Sequence, residues 1–221
     1  MTHTAPDGEV HRADIKTPTG IVTEVQHSTM TDEERESREA FYENLIWIVD
    51  GRSFRNRFHV GWMLPDPNAA GFEDIVWFHQ PRDAFKHTSA WTRGVSPFWR
   101  ISEERTQYPD LMRENIERVM PPDRFVLFHD GDGIRELVET NYLGHHQFCW
   151  VRPRGTWFDA KCPVYIDFGE AVLYQIVEYD KRLGLCVRLV AKRKLIHDAM
   201  VEDRAEDIAT RFYPIASTTD E

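Results

Sequence analysis

Cysteine is scarce: there are three in 221 residues, Cys149, Cys162 and Cys186, and none forms a CxxC pair. This argues against a disulfide framework and a cysteine zinc site, and leaves reduced thiols in a core. Long apolar runs are missing as well. No stretch of about 18 apolar residues occurs, and the first residues carry no basic, apolar leader, so neither a membrane span nor a signal peptide is expected. The expected compartment is the cytoplasm. Positive charge is in the minority, with 27 Lys and Arg against 37 Asp and Glu and a formal net charge of −10. Such a balance counts against non-specific coating of nucleic acid, because phosphate binding draws on Lys and Arg. Internal repeats and low-complexity linkers are also absent.

What remains is the composition of a folded globular chain, 41% hydrophobic and 29% charged. Its cations come in local clusters: Arg52, Arg55 and Arg57; Arg152, Arg154 and Lys161; and a crowd from Lys181 to Lys194. Each reads either as a solvated face or as a local basic groove. Alternating patterns predict two half-buried strands, Glu9–Lys16 and Ile21–Ser28. Thr31, with Glu34 three residues on, predicts a helix through TMTDEERESREAFYEN, and LIWIVDG reads as a buried strand stopped by Asp-Gly. Further strands are expected in FEDIVWFHQP, SPFWRIS, DRFVLFHDGDG, HQFCWVRP, CPVYIDFG, AVLYQIVEYD and LGLCVRLVAKRK. Helices are expected in YPDLMRENIERVM, in IRELVETNYL and near DAMVEDRAEDIATRF. The order predicts an α/β or α+β fold with a central mixed sheet. It divides into a core at 9–57, a mixed and mostly β region at 58–215 that binds substrate or serves as scaffold, and flexible termini at 1–8 and 216–221.

The first hairpin carries the chemistry. Pro18, Thr19 and Gly20 suit a three-residue loop, a type I turn closed by a left-handed glycine. In that register Thr17 faces Ile21, Asp14 lies opposite Glu24 and Arg12 opposite Gln26, while Ala13, Ile15, Thr23 and Val25 form the core side. Directly opposed carboxylates repel unless a cation lies between them. Mg²⁺ commonly uses only one or two carboxylates, so Asp14, Glu24 and the Val25 carbonyl could form half of its shell. The bland reading is a solvated hairpin whose acids pair with Arg12 and Lys16. On the helix, Arg35, Arg38 and Tyr42 share one face and either reach a phosphate or, for the arginines, pair with Asp32, Glu34 or Glu39.

The stretch ADIKTPTGIVTEVQHSTMTDEERESREAFYENLIWIVDG, together with WFDAKCPVYIDFG further on, resembles the nuclease segment of the competence protein CoiA-like family, a branch of the PD-(D/E)XK nuclease superfamily. The resemblance implies a restriction-endonuclease-like core, a mixed sheet flanked by helices, in which a strand-borne Asp and an (E/Q)xK pair on the next strand hold a catalytic metal. Asp14 matches the Asp and Glu24 the acid, and Gln26 stands where Lys is usual. The implied activity is Mg²⁺- or Mn²⁺-dependent hydrolysis of phosphodiester bonds in nucleic acid, with DNA the expected partner. Asp14, Glu24 and Val25 would hold the metal, Gln26 would orient the attacking water, and Arg12, Arg35, Arg38 and Tyr42 would contact substrate.

The alternative is a catalytically inactive nuclease-fold module that binds nucleic acid or a partner protein. Gln26, which brings no positive charge to the transition state, and the acidic balance both favour it. A purely structural or interaction protein is the third reading. DGDG at 130–133 lacks the later ligands of a calcium loop, DFG at 167–169 reads as a strand running into a turn, and His145 and His146 would face opposite sides of a strand.

Overall fold

The first hairpin forms in the register its turn dictates. The computed structural model describes residues 2–4, 10–66, 69, 74–77, 98–105, 109–110, 134–180 and 184–201. Strand β3 (Ile15–Lys16) pairs antiparallel with β4 (Val22–Gln26), placing Ile15 opposite Thr23 and Lys16 opposite Val22. Thr17 accepts the Gly20 N–H at 3.0 Å and donates its own N–H to Ile21 at 2.9 Å. Gly20 takes the left-handed φ of 89° that closes such a loop.

The expected strand Glu9–Lys16 is broken. Val10–Arg12 forms β2, which pairs with β1 (Thr2–Thr4) in a separate two-stranded sheet, so Arg12 lies opposite Thr2 and not Gln26. The physical cause is a side chain. A continued ladder would give the Val25 N–H to the backbone of Ala13, but the Asp14 carboxylate accepts it at 2.8 Å.

Helix α1 (Asp32–Phe41) starts where Thr31 caps it, the Thr31 hydroxyl accepting the Glu34 N–H. It crosses from β4 to β5 (Leu45–Asp50), which runs parallel to β4 with Glu24 beside Trp47. The crossover needs a covered face, and α1 covers the one carrying Val22 and Glu24. The expected core side of β4 is therefore corrected: Val22 and Glu24 are buried, Thr23 and Val25 are half-buried, and Ile15 is 54% exposed.

After a 3₁₀ turn (Arg52–Arg57) come β6 (Phe58–Pro65), β7 (Ile75–Trp77) and β8 (Phe98–Arg100), the last two forming an antiparallel pair. Then follow α2 (Ile101–Glu104), α3 (Ile134–Thr140), β9 (Tyr142–Trp150), β10 (Val164–Asp167), β11 (Val172–Asp180), β12 (Gly184–Ala191) and α4 (Lys192–Met200). The main sheet is mixed and has eight strands, in the order β3-β4-β5-β10-β11-β12-β9-β6. The α+β expectation holds at that level. A helix at Lys192–Met200 overlaps the start of the expected last helix, with Leu195 and Ala199, one turn apart, packed into the sheet core, while 202–212 of that expected helix lie outside the described residues. The expected helix at 108–120, apart from an exposed turn at 109–110, and the expected strand at 123–133, with DGDG, lie outside the described residues.

The chain divides into two compact units, one of residues 1–59, 150–179 and 185–213, the other of 60–149, 180–184 and 214–221. In the first, both sheet faces are covered. Trp47, Val49, Val164 and Ile166 lie on the α1 side, where Trp47 meets Trp157 at 5.4 Å between ring centroids. Ile21, Ile46, Tyr165 and Leu173 meet Leu195 and Ala199 on the other. Two covered faces explain why LIWIV reads as unbroken apolar sequence. Gly51 ends β5, where an added Cβ would run into the Phe168 ring and Ile166. In the second unit, Tyr142 and His146 bond at 2.5 Å and the other ring nitrogen of His146 reaches Gly61 O at 2.9 Å.

Candidate active site

Strand β4 puts Glu24 under α1, and the hairpin brings Asp14 back to the same strand. Glu24 is 3% exposed. A buried carboxylate needs a counter-charge, and Arg38 provides it, its guanidinium donating to Glu24 at 2.6 Å and to Glu34 at 2.9 Å. Asp14 is exposed and bonds the amide of Val25, the residue after Glu24. The buried Tyr42 caps α1. Burial raises its phenol above the ordinary value, the Glu24 and Asp14 carboxylates push the same way, and Arg38 pulls it down. Asp14, Glu24, Arg38 and Tyr42 thus share one electrostatic neighbourhood.

Gln26 follows on the same face of β4, its amide donating to Ser28 O at 3.2 Å and Ser28 Oγ at 3.1 Å. Arg35 lies elsewhere. Its side chain is 2% exposed and donates to Glu39 at 2.6 Å and Asp159 O at 3.3 Å. Glu39 also accepts the Trp47 indole N–H at 3.1 Å and the Lys161 N–H, so Arg35 and Glu39 fasten α1 to β5 and to residues 159–161. Arg12 is on β2, and its side chain lies outside the described residues. The structure therefore brings Asp14, Glu24, Arg38 and Tyr42 together, sets Gln26 beside them on the strand, and buries Arg35 in a structural ion pair.

The donor set expected for a cation, two carboxylates and the Val25 carbonyl, is of hard oxygens, the ligands Mg²⁺ takes. It fits that ion in chemistry, on the condition that Glu24 exchanges its guanidinium partner for the metal. Among the described residues, no group of three or more His, Cys, Asp or Glu side chains is placed to hold a metal ion. No described helix is long and apolar enough to cross a membrane.

Two features had little signal in the sequence. The Glu24–Arg38 pair joins residues fourteen apart through the packing of helix on sheet. At the carboxyl ends of β5 and β10, Asp50 and Asp167 are register partners. Asp50 binds Arg52 at 2.6 Å and His27 at 3.1 Å, and Asp167 binds Lys192 at 2.8 Å. The Arg52 bonds hold the Asp50 carboxyl well below the ordinary range, with His27 assisting. DFG ends β10 as expected, with the Gly169 N–H on Asp167 at 2.6 Å and Gly169 left-handed.

Compared with models of protein families, with curated proteins and with solved structures, the chain matches none.

Proposed function

We propose that the protein is a divalent-metal-dependent nuclease that hydrolyses phosphodiester bonds in nucleic acid, DNA first, on a restriction-endonuclease-like core. The observation that carries the reading is that the Asp14 carboxylate accepts the Val25 N–H, the amide next to Glu24, at 2.8 Å, and that both carboxylates act on the Tyr42 phenol. β3, β4, α1 and β5 follow one another as strand, strand, helix and strand, but Asp14 lies on the bend before β3 and not on the strand the CoiA-like resemblance implies. A cation bound there supplies charge neutralisation at a phosphoryl oxygen and acidifies a water. Asp14 and Glu24 contribute the negative charge that holds it. Gln26, an amide with both donor and acceptor, orients the water. Arg38, released from Glu24 but still tethered to Glu34, faces the phosphate. A cytoplasmic enzyme is the setting this reading assumes.

The Glu24–Arg38 pair favours a second reading, a nuclease-fold module that binds nucleic acid or a partner protein without cutting. A buried acid already neutralised by arginine has no need of a metal.

Cleavage of supercoiled plasmid and end-labelled oligonucleotides with Mg²⁺, Mn²⁺ or EDTA separates the two. The expected result is metal-dependent cutting by the wild type, reduced at least about a hundredfold in Glu24→Gln. Absence of cutting with every metal would leave the binding module.

A further inference from the structure

Two arginine clusters nearly a hundred residues apart in sequence meet in the first unit. The Val151 N–H donates to Arg57 O at 2.7 Å, joining the 52–57 turn to the end of β9. Beneath the junction, Phe54 stacks on Trp150 with centroids 4.6 Å apart, and the Arg154 guanidinium lies over the Phe54 ring at 5.3 Å. Arg152 is exposed with a left-handed φ of 55°, and Arg57 and Arg154 are half-buried. Arg52 and Arg55 are spent on Asp50 and Glu170. Arg57, Arg152 and Arg154 have no carboxylate partner among the described residues. In a chain of net charge −10, three neighbouring arginines without acids are a local exception. The Arg154 guanidinium also donates to Ser28 O at 3.4 Å, the same carbonyl that accepts the Gln26 amide. The cluster therefore begins one carbonyl away from the candidate site.

We propose that Arg57, Arg152 and Arg154 form the nucleic-acid backbone-binding surface of this protein, leading a phosphodiester strand to Gln26. The assignment adds a binding surface outside α1, whose Arg38 serves the phosphate at the site while Arg35 is sealed in an ion pair. Phe54 and Trp150 are buried, so the surface reads phosphates and not bases, and binding is independent of sequence. The proposal rests on the nuclease reading for its direction, but binding in EDTA tests it apart from cleavage.

The experiment is fluorescence anisotropy of labelled DNA with the full chain in EDTA across a salt series. It compares the wild type with a variant carrying Arg57→Gln, Arg152→Gln and Arg154→Gln. A control variant carries Lys192→Gln, Arg193→Gln and Lys194→Gln, which removes the same charge from α4, and thermal melting confirms that each protein is folded. The expected result is a loss of roughly a hundredfold in affinity and a salt slope shallower by about 0.9 per arginine engaged, with the control near wild type. Equal losses in both variants, an unchanged slope, or no binding by the wild type would overturn the assignment. So would displacement of the DNA by polyglutamate at equal charge, which would make an acidic protein segment the partner. Binding as expected with no cleavage would overturn the nuclease reading alone.

Discussion

Two ion pairs of the same chemistry stand at two places on the main sheet. Glu24 and Arg38 lie between β4 and α1 with side chains 4% and 26% exposed, whereas Asp50 and Arg52 lie at the end of β5 with side chains 18% and 68% exposed. Their hydrogen bonds are of equal length, 2.6 Å. The difference is water. Solvent can replace Arg52, but little solvent reaches Glu24, so the first pair is costly to halve and the second is cheap. A buried charge pair in this position is maintained by its partner or by something that substitutes for it, which is why Glu24 is the more informative residue of the two acids in β4 and β5.

The largest effect should come from halving the buried pair. Arg38→Ala leaves Glu24 uncompensated and is expected to cost roughly 2–4 kcal/mol in urea unfolding at neutral pH, reduced from the full buried-pair range by the partial exposure of Arg38. Replacing both partners sharpens the point: Glu24→Leu with Arg38→Leu should recover most of that loss while leaving no metal-dependent cleavage. Next comes Gly51→Ala, buried beside the exposed pair, expected to cost about 1–3 kcal/mol because the methyl meets Phe168 and Ile166. In that region the backbone matters more than the charges beside it.

The pH response is smaller. The Asp50 carboxyl is depressed in the folded state, so its stabilising contribution is complete above the ordinary carboxylate pKa and is lost as pH falls toward the folded value. Melting curves between pH 5 and 2 should show Asp50→Asn less acid-sensitive than the wild type. Burial lowers the pKa of His146 in the second unit, so unfolding takes up a proton there and stability falls as pH drops through the ordinary histidine range. His146→Gln should flatten the melting curve in that window. Arg52→Ala should have the smallest effect, about a degree in melting temperature.

Local rules were enough where the chain makes its own bonds. The hairpin register was readable because Thr17, Pro18, Thr19 and Gly20 admit few turns, and α1 because Thr31 caps it. The β5 run from Leu45 to Asp50 was readable because both of its faces are covered. The break at Asp14 was not, because a side chain took a bond that the alternating pattern assigns to backbone. Nor was the fate of the α1 arginines. Arg35 and Arg38 are three residues apart, so a helical wheel puts them on one face, yet one is sealed against Glu39 and the other reaches Glu24. Their difference depends on which strand lies beneath each turn. The meeting of Arg57 with the 151–154 segment is likewise a product of tertiary folding, visible in the sequence only as two separate basic clusters.

The bond from Asp14 to the Val25 amide also bears on how the molecule keeps to itself. β3 is two residues long and ends the eight-stranded sheet, so beyond Thr23 the margin of β4 would present an unpaired donor to any extended chain. Asp14 uses that donor and sets a negative charge at the opening. An Asp14→Ala protein therefore exposes a sticky strand margin as well as losing an acid, and it is expected to form higher-order species in sedimentation at concentrations where Glu24→Gln stays dispersed. Of the two acids, only Asp14 also guards the chain against its own copies.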